Sequence, residues 1–188
     1  MFAQLESNSQ DRFEIITYDI AKDEILARAA STIDGEKGSQ LAVDASRTHV
    51  AVANLEQVEL RRLPDLMLVS DFARPAAANE CLAVSNEGRY VAMGGQGTWV
   101  WSFSEGACRQ LHPGSHEPKL SLKSRGAHGD HLDHNAFLHN YMMHSRQRIK
   151  FVGFLGNAMH LVDVTGDGVV AKWDLEKSQL IETRRLWD

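Results

Sequence analysis

The chain reads as an all-β protein assembled from repeated four-stranded antiparallel units, and three observations lead there. Its apolar residues fall in short runs bounded by Gly, Asn, Asp and Ser rather than at helical spacing. The order of runs and turns recurs with a period of about forty residues, the signature of a repeat architecture. With 43% hydrophobic and 24% charged residues in 188, the composition is that of a globular chain with enough apolar mass for a core.

Taken in order, Phe13 to Ile20 and Glu24 to Ala29 read as the last two strands of a first unit. Its first two strands have no obvious place in the twelve residues before Phe13. A complete unit follows in Gln40 to Asp44, Thr48 to Ala53, Val58 to Leu63 and Leu66 to Ser70. The next runs through Glu80 to Ser85, the turn Asn86-Glu87-Gly88, Arg89 to Met93, the turn Gly94-Gly95-Gln96-Gly97, Thr98 to Phe103 and Cys108 to Leu111. The last comprises Lys150 to Phe154, Met159 to Val164, the turn Thr165-Gly166-Asp167-Gly168, Val169 to Leu175 and Gln179 to Thr183. The count is about three and a half units. Matched at the ends of their third strands, Tyr18 to Arg62 spans 44 residues, Arg62 to Trp101 spans 39, and Trp101 to Trp173 spans 72. The surplus of about 32 in the last interval falls between His112 and Arg148, an insertion between units, and such insertions map to loops.

The period and strand grammar resemble the WD40 family of β-propellers, whose blades are four-stranded antiparallel sheets around a central axis. The residues that carry the resemblance most specifically lie in Asp163 to Leu180, with Trp173-Asp174 where the family places its Trp-Asp pair. Tyr18-Asp19 and Trp101-Ser102 are degraded versions, Arg62-Leu63 keeps neither residue, and a Gly-His dipeptide ahead of each blade is missing. The resemblance implies propeller blades in an incomplete ring, with a His-rich insertion between the last two blades. Residues 1–111 would hold a partial blade and two full blades, 112–148 the insertion, and 149–188 the last WD40-like blade. It also implies a platform for protein partners, an inference by analogy of fold. A closed propeller needs at least four blades, so an open stack leaves a bare apolar face at each end and an unpaired strand edge in the halved blade. Completion is expected by self-association, as a homodimer or in trans, or by further chain if the sequence is a portion of a larger WD-repeat protein.

Seven of the nine histidines lie between His112 and His144. His128, His131, His134, His139 and His144, with Asp130 and Asp133 between them, contain the residue types of a zinc shell. On a helix His131 and His134 would be neighbours while His139 and His144 point elsewhere, so one helix cannot complete a shell. The alternative is a solvated polar insertion without metal. From Arg109 to Lys150 there are seven Lys and Arg against three Asp and Glu, a balance of +4 that leaves −9 for the rest. A basic loop rich in histidine on an acidic body is a pH-responsive docking element, with Tyr141 as an aromatic contact. The whole chain carries −5 and lacks basic-aromatic interleaving, which points away from nucleic acid.

Other chemistries fail on spacing. Asp163-x-Thr165-x-Asp167-Gly168 with Asp174 mimics a calcium loop, but its flanks read as strands. Gly94-Gly95-Gln96-Gly97 has Val100 where a dinucleotide fingerprint needs glycine, and no Gly-x-Ser-x-Gly elbow occurs. Cys81 and Cys108 are placed on the innermost and outermost strands of one blade, too far apart for a disulfide, and are expected as free thiols. Trp99 and Trp101 alternate on one strand and project to one face, where they fill the gap between blades or serve a partner as anchors. No catalytic residue, cofactor or metal site is therefore assigned, and the expected activity is non-catalytic. The opening Met1-Phe2-Ala3-Gln4-Leu5-Glu6-Ser7 has neither a basic stretch nor an apolar core typical of a signal sequence. No run approaches the roughly 20 apolar residues of a membrane span, so the expected location is the cytoplasm.

Overall fold

Strands in this chain follow the β-branched and aromatic runs, and turns follow the residues that tolerate a left-handed backbone, such as Gly88 (φ +65°) and Gly168 (φ +81°). The structure is a computed structural model that describes residues 2–7, 12–34, 39–75, 78, 80–112, 147–156 and 159–187. Blade 1 contains β1 (Phe2–Ser7), β2 (Arg12–Asp19) and β3 (Glu24–Asp34). Blade 2 contains β4 (Gln40–Val43), β5 (His49–Ala53), β6 (Gln57–Arg62) and β7 (Leu68–Ala73). Blade 3 contains β8 (Cys81–Val84), β9 (Tyr90–Gly94), β10 (Thr98–Ser102) and β11 (Ala107–His112). Blade 4 contains β12 (Ile149–Leu155), β13 (His160–Thr165), β14 (Val169–Asp174) and β15 (Gln179–Arg185). Each sheet is a meander, antiparallel and in sequence order. This is an all-β, partial propeller architecture without a closed sheet among the described residues.

Three details differ from the sequence reading. Among the described residues blade 1 has three strands, because β1 pairs with β2 from Phe2↔Tyr18 to Ser7↔Phe13. Phe2 to Ser7 contains no β-branched residue, so nothing local announces a strand and the ladder with β2 makes it one. The last strand of blade 2 starts at Leu68 rather than Leu66, since Leu66 takes φ +57° and belongs to the turn. Finally, bulges between Thr17 and Tyr18, Leu60 and Arg61, and Lys172 and Trp173 fall at one position of the repeat. They align Tyr18, Arg61 and Trp173, so Arg61, not Arg62, stands where the last blade has its tryptophan.

Blades pack face to face, and the alternation of side chains along a strand sends successive residues into different cores. In β5, Val50 and Val52 enter the core between blades 1 and 2 with Ile15 and Ile33. Ala51 and Ala53 enter the core between blades 2 and 3 with Val91 and Met93 of β9. Tyr90 and Ala92 of β9 turn instead to the third core, with Leu161, Ala171 and Trp173 of blade 4. A strand buried on both faces therefore reads as an unbroken apolar run, as β5 and β9 do. In β13 only Leu161, Asp163 and Thr165 are buried, while His160, Val162 and Val164 lie on the other, half-exposed face.

Polar ties cross the same interfaces. Between blades 1 and 2, buried Glu59 accepts from Arg61 Nε at 2.8 Å and from the Ser31 hydroxyl at 3.2 Å. Arg61 also donates to the carbonyls of Ala30 and Leu66. Between blades 3 and 4, Asp163 Oδ2 accepts from the Thr98 hydroxyl at 2.6 Å and from the Trp173 indole at 2.8 Å. Between blades 2 and 3, Asp44 Oδ2 accepts the Glu87 N–H at 3.3 Å.

Asp44 also accepts from the Ser46 and Thr48 hydroxyls and from the N–H groups of Thr48 and His49. Burial alone would raise its pKa, but these donors outweigh burial and hold the carboxyl below its ordinary value. A lowered folded pKa stabilises fully above the unfolded value of about 3.9 and ceases to do so as pH falls through the folded value. We expect urea midpoints to fall on acidification below about pH 4, and to fall less steeply in Asp44→Asn. Equal slopes in the two proteins would show that Asp44 carries none of the dependence.

Candidate interaction surfaces

The side chains singled out in the sequence fall in two places. Trp101 of β10 stacks on Phe72 of β7, rings parallel with centroids 4.2 Å apart, and Phe103 meets the same Phe72 edge-on. Trp99 joins that cluster, so both tryptophans pack in the gap between blades 2 and 3. Their indole N–H groups have no hydrogen-bond partner among the described residues. His128, His131, His134, His139, His144, Asp130, Asp133 and Tyr141 lie outside the described residues, so the structure brings none of them together. Among the described residues, no group of three or more His, Cys, Asp or Glu could hold a metal ion.

The pseudo-calcium pattern is distributed as turn and strand chemistry. Asp163 is a buried acceptor on β13, Gly168 supplies the left-handed turn, and Asp174 ends β14 by accepting the Lys177 N–H at 2.9 Å. Cys81 and Cys108 lie on β8 and β11, the two edge strands of blade 3, and both are free thiols. Burial pushes Cys81 up to about 12, with Glu80 adding to it, and burial pushes Cys108 up to about 11. Since the thiolate is the nucleophile, both should resist a thiol reagent at pH 8 in the folded chain and react at once in urea. Rapid native-state modification of Cys81 would contradict this placement.

Three surfaces could receive a partner. The first is a charged rim where blades 3 and 4 meet. Glu80 pairs with Arg148 Nη1 at 2.8 Å and Lys150 Nζ at 2.6 Å. Burial would raise the Glu80 carboxyl, but hydrogen bonds from these two cations hold it below its ordinary range. Nearby, buried Arg74 donates to the carbonyls of Ala78 and Asn54 and to Gln40 Oε1. Burial lowers its pKa. No local pattern announces this rim, because Glu80 precedes β8 while Arg148 and Lys150 stand at the start of β12, 68 and 70 residues further along the chain.

The second surface is the outward face of blade 4, where Phe151 and Leu155 of β12 are 54% and 43% exposed beside half-exposed Val162, Val164 and Val170. Leu180 and Ile181 of β15 and Trp187 are exposed as well, Leu180 on the face it shares with Trp173. Among the described residues no further blade packs on this face. The third is a cavity of about 400 Å³ between blades 1 and 2, lined by Ala3, Leu41, Val43, Ala45, Arg47 and Leu63 among others.

Among the described residues, no helix is long and apolar enough to cross a membrane. No family model matches the chain, and no curated protein matches it. Among solved structures it is similar to the structure of U3-55K, a WD40 β-propeller protein, at 15% identity and a TM-score of 0.60. The match covers 97% of this chain and 45% of that one, so the chain spans less than half the length of the structure it resembles. At that identity the likeness speaks to fold alone, and the fold it supports is a WD40-like β-propeller, present here in part.

Proposed function

We propose that this chain is a non-catalytic WD40-like scaffold for protein–protein interaction, completed by self-association or by further polypeptide. The observation that carries the proposal is the uncovered apolar face of blade 4. Exposed apolar side chains gathered on one sheet face, as Phe151 and Leu155 are, favour a protein interface. Residues 1–111 and 149–188 supply the blades and 112–148 the docking insertion. Trp99, Trp101, His128, His131, His134 and Tyr141 are the proposed interaction residues, in a cytoplasmic setting. The test is the absolute mass of the untagged chain by light scattering after size exclusion over a concentration series. A discrete species near twice 21.0 kDa supports completion in trans and makes the blade 4 face the first target for charge substitution. A polydisperse or aggregating chain supports completion by further polypeptide, and a well-behaved monomer at all concentrations counts against the scaffold reading.

A second reading rests on the concentration of histidine between His112 and His144. It makes the insertion the site of a metal-dependent sensor or enzyme. Metal analysis of untagged protein separates the two: stoichiometric zinc lost in His131→Ala and His134→Ala supports this reading, and sub-stoichiometric metal sinks it.

A further inference from the structure

We propose that the outer corner of blades 1 and 2, where β2 turns into β3 and β6 into β7, is the docking site for a basic amphipathic helix of a partner protein. The inference deepens the scaffold reading and rests on it for the idea of a partner. It begins with a bulge that three blades share. Thr17 pairs with Ala27 and Tyr18 with Ile25, so Leu26 is the extra residue of β3. Leu60 pairs with Ser70 and Arg61 with Leu68, so Val69 is the extra residue of β7. Lys172 pairs with Glu182 and Trp173 with Leu180, so Ile181 is the extra residue of β15. At each of these bulges the extra residue and the one before it are exposed aliphatic side chains, and Ile20 and Met67 of the preceding turns are exposed with them. Eight of the fourteen large hydrophobic residues exposed among the described residues stand at this corner of the blades, so apolar exposure is concentrated there rather than scattered. Blade 3 lacks the feature: Trp101 pairs with Cys108 and Val100 with Arg109 without a bulge, and Cys108 is half-buried.

The exposure does not come from a missing neighbour. Blade 2 shares one core with blade 1 and another with blade 3, yet Met67, Leu68 and Val69 are 53%, 41% and 47% exposed. The Thr17 hydroxyl donates to the carbonyl of Pro64 at 3.2 Å, and Leu63 and Leu66 are buried in the core between blades 1 and 2. These contacts lay the turn 62–67 against β2, so the corners of blades 1 and 2 are neighbours.

Two features fix the occupant. A bulge interrupts the ladder at the edge of β3 and of β7, which blunts both edges against an added strand and leaves side chains as the docking element. A helix satisfies its own backbone and presents an aliphatic face to such side chains. Charge supplies the rest. Residues 19–26 and 62–69 contain four carboxylates, Asp19, Asp23, Glu24 and Asp65, against two cations, Lys22 and Arg62, a balance of −2. Both cations are already engaged, Lys22 with Asp19 at 3.8 Å and Glu24 at 3.6 Å, and Arg62 with Asp65. The corner therefore attracts lysine and arginine, and it repels both its own copy and the anionic surface of a membrane.

The probe is a fluorescein-labelled amphipathic helix of leucine and lysine, titrated against the full chain by anisotropy, with hydrogen exchange read at residues 62–71. We expect saturable binding that weakens as salt is raised, and slowed exchange at 62–71. The same peptide with glutamate in place of lysine should bind at least about tenfold more weakly, a comparison that leaves the protein untouched. Met67→Ser/Val69→Ser and Glu24→Gln/Asp65→Asn should each weaken the lysine peptide similarly; all four positions are exposed, so urea midpoints should stay near wild type. No saturable binding, equal binding of the glutamate peptide, or binding indifferent to both variants would each overturn the proposal. Binding to vesicles of phosphatidylcholine and phosphatidylserine that is lost in Met67→Ser/Val69→Ser would overturn it in favour of a membrane. Self-association lost in that variant would overturn it in favour of a second copy. A chain that associates while the peptide ignores this corner sinks the inference and leaves the scaffold reading standing. A monomer that binds the lysine peptide at residues 62–71 does the reverse.

Discussion

Glu59→Leu is expected to destabilise the chain by about 3–5 kcal/mol in urea unfolding, because it leaves a buried guanidinium without its counter-ion. Glu59 is fully buried and Arg61 nearly so, and their 2.8 Å contact lies in the interface of blades 1 and 2. The remaining partners of Arg61 among the described residues, the carbonyls of Leu66 and Ala30, carry dipoles and no full charge. Taking both members away is a different experiment. In Glu59→Leu/Arg61→Leu no charge is stranded, and the double variant should recover most of what the single one loses. The signature is therefore a coupling energy of opposite sign to the single effect. A Glu59→Leu protein within about 0.5 kcal/mol of wild type would show that the pair is hydrated rather than buried.

Asp163→Ala should cost a similar amount, about 3–5 kcal/mol, by a different route. The carboxylate gathers the Thr98 hydroxyl and the Trp173 indole, donors from two blades, at 2.6 and 2.8 Å. Removing it orphans both donors in a site closed to water, and each carries a desolvation penalty of about 1–3 kcal/mol. Because Trp173 is one of the two partners, its emission should change together with the unfolding midpoint. Asp163→Asn keeps an acceptor oxygen and should fall between wild type and alanine. Loss of stability with unchanged Trp173 emission would place the effect elsewhere.

The blades were readable because each strand pair is local. Apolar runs such as His49 to Ala53 and Tyr90 to Gly94 carry their own turn signals, and the Trp173-Asp174 pair marks a strand end. β1 was not readable, since Phe2 to Ser7 has no intrinsic preference and becomes a strand only by pairing with β2. Arg61 was displaced by one residue for a related reason: a bulge shifts register without leaving a mark in composition. The Trp99 and Trp101 face followed from simple alternation. The rim around Glu80 and Arg74 joins residues from separate hairpins, and no local pattern encodes such a meeting, whereas four of the five donors on Asp44 lie within the next five residues and only the Glu87 N–H comes from another hairpin.

The contrast between β9, buried on both faces, and β13, buried on one, bears on how the molecule comes apart. Each core is shared by two adjacent blades, so the free energy of the stack behaves as a sum of nearest-neighbour couplings, as in a one-dimensional chain of spins. Blades 2 and 3 have two couplings each and blade 4 has one among the described residues. Amide exchange should consequently be slowest in β5 and β9, intermediate at their edges and fastest in β15, whose side chains are exposed throughout. The open end would then fray as a unit while the middle stays folded, and covering it would add one coupling and raise the protection of all the blades behind it.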